Sequence, residues 1–293
     1  MNRHKGAWKT GLVFIFPAFL FVSAFMIYPI VSVFYLSLHD YSPLRSAEVL
    51  YAGLANYQWL ARSDLVFHSL YVTVVFTVAS VALELIAGLS IASLLAKHLI
   101  ETRSRIARLL NRVFSSVFIL PFATPAIAAA VAWKMLLHPQ FGPVNALLGR
   151  DIAWFTRYPL PSVIVADAWK MTPFVLFLVL AAIMSIEPEQ FEAAKIDGAS
   201  GWQEFRYLTL PSIFPVLTVI TAFRAVDAFT KIFDIVYMTT GGGPGTATQV
   251  FPLLIWKTAF THLHFGKASA LAVVAIVISA LLGTALTVRR SRT

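Results

Sequence analysis

The 293 residues are 58% hydrophobic and 13% charged, with 24 Phe, against about 25% charged in ordinary soluble domains, so the chain reads as an integral membrane protein. Cysteine is absent, which excludes a disulfide framework, a thiolate metal site and thiol redox chemistry. The net charge of +9 is a membrane signature rather than a nucleic-acid one, because the basic residues flank apolar runs, where anionic headgroups attract them and fix orientation.

The start, MNRHKGAWKT, is basic like that of a signal peptide, but the following apolar run is too long for one and no small-x-small cleavage site ends it. It is expected to stay as a first span. A spanning helix needs about 20 mostly apolar residues, and six runs qualify: 11–37, 68–96, 113–137, 160–185, 212–238 and 267–288. The expected fold is all-α, with six transmembrane helices. Residues 1–67 would form the tail, first span and external segment, and 68–293 a five-helix core. Thirteen Lys and Arg residues lie in one set of flanks and loops: Arg3, Lys5, Lys9, Lys97, Arg103, Arg105, Arg108, Arg112, Lys195, Arg206, Arg289, Arg290 and Arg292. The opposite set holds six: Arg45, Arg62, Arg150, Arg157, Lys257 and Lys267. Positive-inside bias then puts both termini and the loops 97–112 and 185–211 in the cytoplasm. The other segments, 39–64, 138–149 and 239–249, are rich in Gly, Pro, Asn and aromatics, a composition that predicts turns and short surface helices. Small residues at 126–132 and 178–184 either let helices approach closely or are ordinary helix filler.

Ionisable residues within the runs are costly against lipid and usually face a bundle interior or an aqueous cavity. They are Glu84, Lys134, Asp167, Lys170, Arg224, Asp227, Lys231 and Asp234. The last four are spaced three, four and three apart with alternating sign, which places them on one helical face with neighbouring ion pairs available. That face serves as a water-lined solute route, a structural pairing network or an ion relay; spacing alone does not choose. Asp167, Trp169 and Lys170 lie near one end of the fourth run, and Trp133 and Lys134 near the corresponding end of the third. Trp133 and Trp169 either stack on a sugar or belong to an aromatic belt at headgroup level.

The segment SIEPEQFEAAKIDGAS (185–200) begins like a helix, with Pro188 in the first turn and Glu187, Glu189 and Glu192 at its positive end. Asp197-Gly198 breaks it, and Gly198 can take φ > 0 at little cost. A second short segment carrying Trp202 and Phe205 then leads through Leu208, Leu210 and Pro211 back to the membrane. A helix lying on the bilayer would be rich in Lys and Arg on its polar face. This one is acidic, which favours docking into a protein cleft.

Glu192-Ala193-Ala194, Gly198 and Leu208-x-Leu210-Pro211 resemble the EAA loop of ABC-importer permeases, with Leu208 where Ile is more usual. The likeness extends over nearly the whole chain, through FPAFLFVSAFMIYPIVSVFYLSL, YAGLANYQWL, FGPVNALLG and the region of the Gly-Gly-Pro turn at 242–244. It points to the permeases of binding-protein-dependent sugar importers, of the MalF or UgpA type. The resemblance implies that Glu192, Ala193, Ala194, Asp197 and Gly198 form a coupling helix. It further implies a second, MalG-like permease, two ATP-binding cassette ATPase subunits that use ATP and Mg, and an extracytoplasmic solute-binding protein. It does not name the solute, which could be a sugar or glycerol-3-phosphate. Trp133, Asp167, Lys170, Arg224, Asp227, Lys231 and Asp234 are candidates for the solute path.

No catalytic residue, metal site or bound cofactor is expected. The Gly-rich 241–245 lacks the Lys of a phosphate loop, the seven His show no H-E-x-x-H spacing, and no nucleophile elbow occurs. The rival reading from the residues is a secondary carrier using the charged face of the fifth run, with a membrane scaffold behind it.

Overall fold

The computed structural model describes residues 14–101 and 116–288. The basic residues Arg3, Lys5, Lys9, Arg103, Arg105, Arg108, Arg112, Arg289, Arg290 and Arg292, and the start of the third predicted run at 113–115, lie outside the described residues. Among the described residues five helices are long and apolar enough to cross a membrane: α1 Phe14–Ser37, α3 (spanning portion Asp64–Lys97), α8 Pro159–Met184, α10 Gly201–Lys231 and α12 (spanning portion Phe265–Ala285). A sixth candidate is bent. Its two pieces, α4 Ser116–Ala123 and α5 Ala126–Leu136, meet at 103°, at the point where Pro125 lacks an N–H to continue the ladder.

The chain divides into two compact units, residues 1–66 with 254–277 and residues 67–253 with 278–293. In the first, the segment after α1 is not wholly helical. His39–Ser42 (β1) and Ser46–Tyr51 (β2) pair as a two-stranded antiparallel ribbon, His39 opposite Tyr51. This corrects the all-α expectation: six residues of ribbon register bridge a tight turn at Ser42–Arg45, where the composition predicted turns and helix only. Helix α2, Ala55–Arg62, follows. Its buried Asn56 donates from Nδ2 to the carbonyls of Ser37 and His39, both at 2.9 Å, satisfying groups that the end of α1 leaves open. The backbone there is tightly approached: a Cβ on Gly266 would run into the carbonyl of His39.

The second unit holds the rest of α3, the bent pair, α8, α9 (Pro188–Ile196), α10 and α11 (Phe233–Thr239). Its core is apolar contact among Ala92, Ala96, Val175, Leu176, Val179, Ile213 and Ile220. Short residues on α3 allow close crossing, and a Cβ on Gly88 would meet Val175 Cγ1 at 2.7 Å. Between 138 and 158 the chain forms two short helices, α6 Pro143–Leu148, within the 138–149 segment whose composition predicted it, and α7 Trp154–Arg157, beyond that segment. The Gly-Gly-Pro turn closes on itself through Thr248, whose hydroxyl donates to the Gly243 carbonyl at 3.0 Å. It is tied to α3 where His68 donates to the Thr246 carbonyl at 2.9 Å and the Phe251 N–H donates to Thr73 Oγ1 at 2.7 Å.

Candidate functional site

Arg224, on α10, is the largest fully buried side chain of the described residues, 1% exposed. A guanidinium in such a place must have its donors filled by acceptors, and three helices supply them. From α3, Glu84 accepts from Nε at 2.7 Å and from Nη2 at 2.8 Å, a bidentate fork. From α8, Asp167 Oδ2 lies 3.5 Å from Nη2. From one turn along α10, Asp227 accepts from Nη1. Ser80, one turn before Glu84, places its hydroxyl 2.6 Å from Asp167 Oδ2 and 3.0 Å from Glu84 Oε1. The arrangement binds α3, α8 and α10 together by charge at one level.

The predicted ladder divides at this hub. Arg224 pairs with Asp227, and Asp227 accepts from Lys231 Nζ at 2.7 Å through its other oxygen, as the spacing required. Then α10 ends at Lys231 and α11 begins at Phe233, so Asp234 sits on a new helix rather than on the predicted continuous face. Glu84 was visible as an interior charge, but nothing in the spacing along α10 could reveal it as the partner of Arg224, 140 residues away.

Lys231 is 75% exposed and faces a cavity of about 270 Å³. The same cavity is lined by Asp167, Lys170, Arg224, Asp227 and Asp234, with Phe122, Phe174 and Phe223. The three rings follow one another, with centroids 5.7 Å apart between Phe122 and Phe174 and 5.3 Å between Phe174 and Phe223. Lys170 donates to the Phe122 carbonyl at 3.4 Å and lies 5.7 Å from the Phe122 ring centroid, so it meets a backbone carbonyl in the last turn of α4 before its break. The α10–α11 break at Ile232 borders the cavity too. Non-helical backbone at membrane depth is tolerated where it is buried in protein or lines a wet cavity, and discontinuous spans are a common way of building a solute site. The structure thus brings together six of the seven predicted path residues. The seventh, Trp133, lies against Trp169 (centroids 6.0 Å apart) in another groove.

The acidic segment forms the helix that its sequence predicted. Glu187 is the extended N-cap residue of α9, Pro188 takes the first turn, and only Phe191 is buried. Glu192, Ala193, Ile196, Asp197 and Gly198 are exposed, Ile196 at 87%. The helix stops where the N–H of Asp197, Gly198 and Ala199 return to the carbonyls of Ala193, Lys195 and Ala194. Gly198 has φ +75°, a conformation that costs other residues about 1–2 kcal/mol. A Cβ there would meet nothing within 4 Å. One boundary differs from expectation. Ser200 and Gln203 form a capping box, so α10 starts at Gly201 and carries Trp202 and Phe205 in continuity with the fifth span instead of on a separate surface segment.

Comparison with known proteins agrees with this architecture. A family model described as binding-protein-dependent transport system inner membrane component matches residues 88–290. The chain is 35% identical over 282 residues to the trehalose/maltose transport system permease protein MalF of Thermococcus litoralis, covering 92% of this chain and 90% of that one. It is 30% identical over 268 residues to the trehalose transport system permease protein SugA of Mycobacterium tuberculosis, covering 90% and 83%. A chain of the bacterial alginate ABC transporter, solved in complex with an alginate pentasaccharide-bound periplasmic protein, has a TM-score of 0.79 at 22% identity and covers all of this chain and 98% of that one, which shows a shared fold. Such components are membrane-embedded transport subunits rather than enzymes. With the family model matching two thirds of its length, this multi-pass chain belongs to the inner membrane components of binding-protein-dependent transport systems.

Proposed function

We propose that the chain is one permease subunit of an ATP-driven importer for a sugar or sugar-like solute, forming half of the translocation path. The observation that carries this reading is the α9 turn: an acidic helix that leaves Glu192, Ala193, Asp197 and Gly198 bare on a member of a transport family. Exposed side chains around an ordered turn are what a partner's groove requires. The partner is an ATP-binding cassette subunit, present twice, which uses ATP and Mg; its closure drives the permease pair between inward and outward access. Both termini and α9 then face the cytoplasm. A second, MalG-like permease completes the path, and an extracytoplasmic solute-binding protein delivers the cargo.

The sugar class rests on the relatives, whose names specify trehalose and maltose, trehalose and sulfoquinovosyl glycerol. The cavity suits such a solute: the row Phe122, Phe174 and Phe223 offers ring faces to C–H surfaces, and Lys170, Lys231 and Asp234 offer hydroxyl partners. Family membership speaks against the secondary carrier that the charged face alone would allow.

The test is purification of the chain from its native membrane in mild detergent, with mass spectrometry of what accompanies it and uptake measured in proteoliposomes. A second permease and an ATPase should co-purify, and uptake should need ATP. In Gly198→Asp both the ATPase and ATP-driven uptake should be lost while the spans remain folded. Normal ATP-driven uptake in that variant would overturn the coupling role, and gradient-driven uptake without ATP would overturn the importer reading.

A further inference from the structure

Away from the charge hub, a groove of about 800 Å³ is lined by Trp133, Leu137, Leu148, Trp154 and Val165, with Arg150 among them. Its frame is built, not incidental. Asn145, 3% exposed, donates to the carbonyls of Pro139 at 3.0 Å and Ile152 at 2.9 Å and accepts from Trp154 Nε1 at 2.8 Å. One side chain therefore fixes both the loop and the indole that walls the groove. Across from it, the indole N–H of Trp133 is buried with no hydrogen-bond partner.

The groove extends along α8 from Tyr158, the residue before the span, to Val165. Seven residues of helix rise about 10 Å, so it follows the first two turns of this candidate span. Val165 and Leu148 are 44% and 52% exposed, which leaves it open at the side. Its volume is within the roughly 300–1,000 Å³ that holds a ligand of drug size. Charge gathers at its upper end: Arg150 is a lining residue, and Arg157 stands over the ring of Tyr158, another one, at 5.4 Å. Asp151 is the single acid between positions 150 and 158.

We propose that this groove is a binding site for an anionic phospholipid. One acyl chain lies along Trp133, Leu137 and Val165, and the headgroup phosphate meets Arg150, whose planar fork matches phosphate oxygens. Trp133 and Trp154 lie at the headgroup–acyl boundary, where an indole has both apolar contact and a polar partner. The occupant is phospholipid rather than protein because the groove is open along an apolar side on a candidate span and Arg150, the charged residue of its lining, is basic.

The experiment reconstitutes the purified complex in phosphatidylethanolamine vesicles with a trace of phosphatidylglycerol or phosphatidylethanolamine bearing a photoreactive acyl chain, and maps labelled peptides by mass spectrometry. Label on peptides containing Trp133 and Val165 should be about fivefold higher with phosphatidylglycerol, the factor that one basic residue near the bilayer surface is worth. Arg150→Glu, at an exposed position, should reduce it to the phosphatidylethanolamine level, and Arg150→Lys should keep most of it. Equal labelling by the two lipids overturns the headgroup assignment. Label on these peptides no higher than on the exposed α1 helix shows that another protein subunit, such as a second permease, fills the groove and overturns the proposal outright.

Discussion

Around Arg224 the charges find their partners inside the chain; around Gly198 the acidic groups of Glu192 and Asp197 are left on the surface. Both regions interrupt an apolar sequence with polarity, and their geometry separates the reasons. A buried guanidinium held by Glu84, Asp167 and Asp227 is a device of assembly: it keeps three helices in register because any other register would strand a charge in a medium that rejects it. An acidic helix closed by a glycine at φ +75° leaves no carboxylate stranded, since Glu192 and Asp197 are exposed to water. Under the proposed function, its order serves a partner outside the chain. Substitutions should therefore act on stability at the first region and on partnership at the second.

The largest effect is expected at the hub. Arg224→Met leaves Glu84, 0% exposed, with Ser80 as its remaining donor, and removing one member of a buried pair costs about 3–5 kcal/mol. Thermal unfolding of the purified complex should shift strongly downward. The double variant Glu84→Met/Arg224→Met should recover part of the loss, because it removes both charges. An unchanged melting temperature for the single variant would show that the hub is not what holds the three helices.

This hub marks the limit of what the sequence discloses. Hydrophobic runs disclose the spans because each needs its own length of apolar residues, and alternating charge at spacings of three and four discloses the pairs within α10. Partners on other helices carry no local signal: Glu84 and Asp167 meet Arg224 only through packing. The bend at Pro125 is hidden for the opposite reason, since both sides of it stay apolar and a hydrophobic window passes over a broken helix as over a straight one. The early start of α10 did have a local signature, Ser200-x-x-Gln203, the pattern of a capping box, but its polarity set it apart from the apolar run that it continues. The ribbon at 39–51 is too short and too rich in turn residues for strand alternation to show. The α9 helix and its glycine stop were legible because N-terminal proline, acidic first turn and terminal glycine are all local chemistry.

Between the two regions lies an intermediate case. Asn56 is buried but neutral, and its two hydrogen bonds serve the backbone at the end of α1. Asn56→Ala should destabilise by about 1–3 kcal/mol, the cost of leaving buried acceptors unpaired. That places it below Arg224→Met on the same melting assay. At the exposed turn, Gly198→Ala meets open space and loses only the conformational term, about 1–2 kcal/mol. Its effect on ATP-driven uptake should exceed what that loss of stability explains; if uptake and melting temperature fall together in proportion, the turn is structural and the contrast with the hub disappears.

The smallest stability effect should come from Lys231, and it tests where the hub ends. Its ammonium pairs with Asp227 at 2.7 Å, but the side chain is 75% exposed, and an exposed i,i+4 pair contributes about 0.3–0.5 kcal/mol. In Lys231→Met, Asp227 keeps Arg224 as its partner, so the melting temperature should hardly move. The cavity, however, loses a cation beside Phe223 and Asp234, and a solute that uses it should show a higher KM for uptake with little change in maximal rate. A drop in stability comparable to that of Arg224→Met would instead extend the assembly device to Lys231, leaving Lys170 and Asp234 as the cavity's charges for a solute.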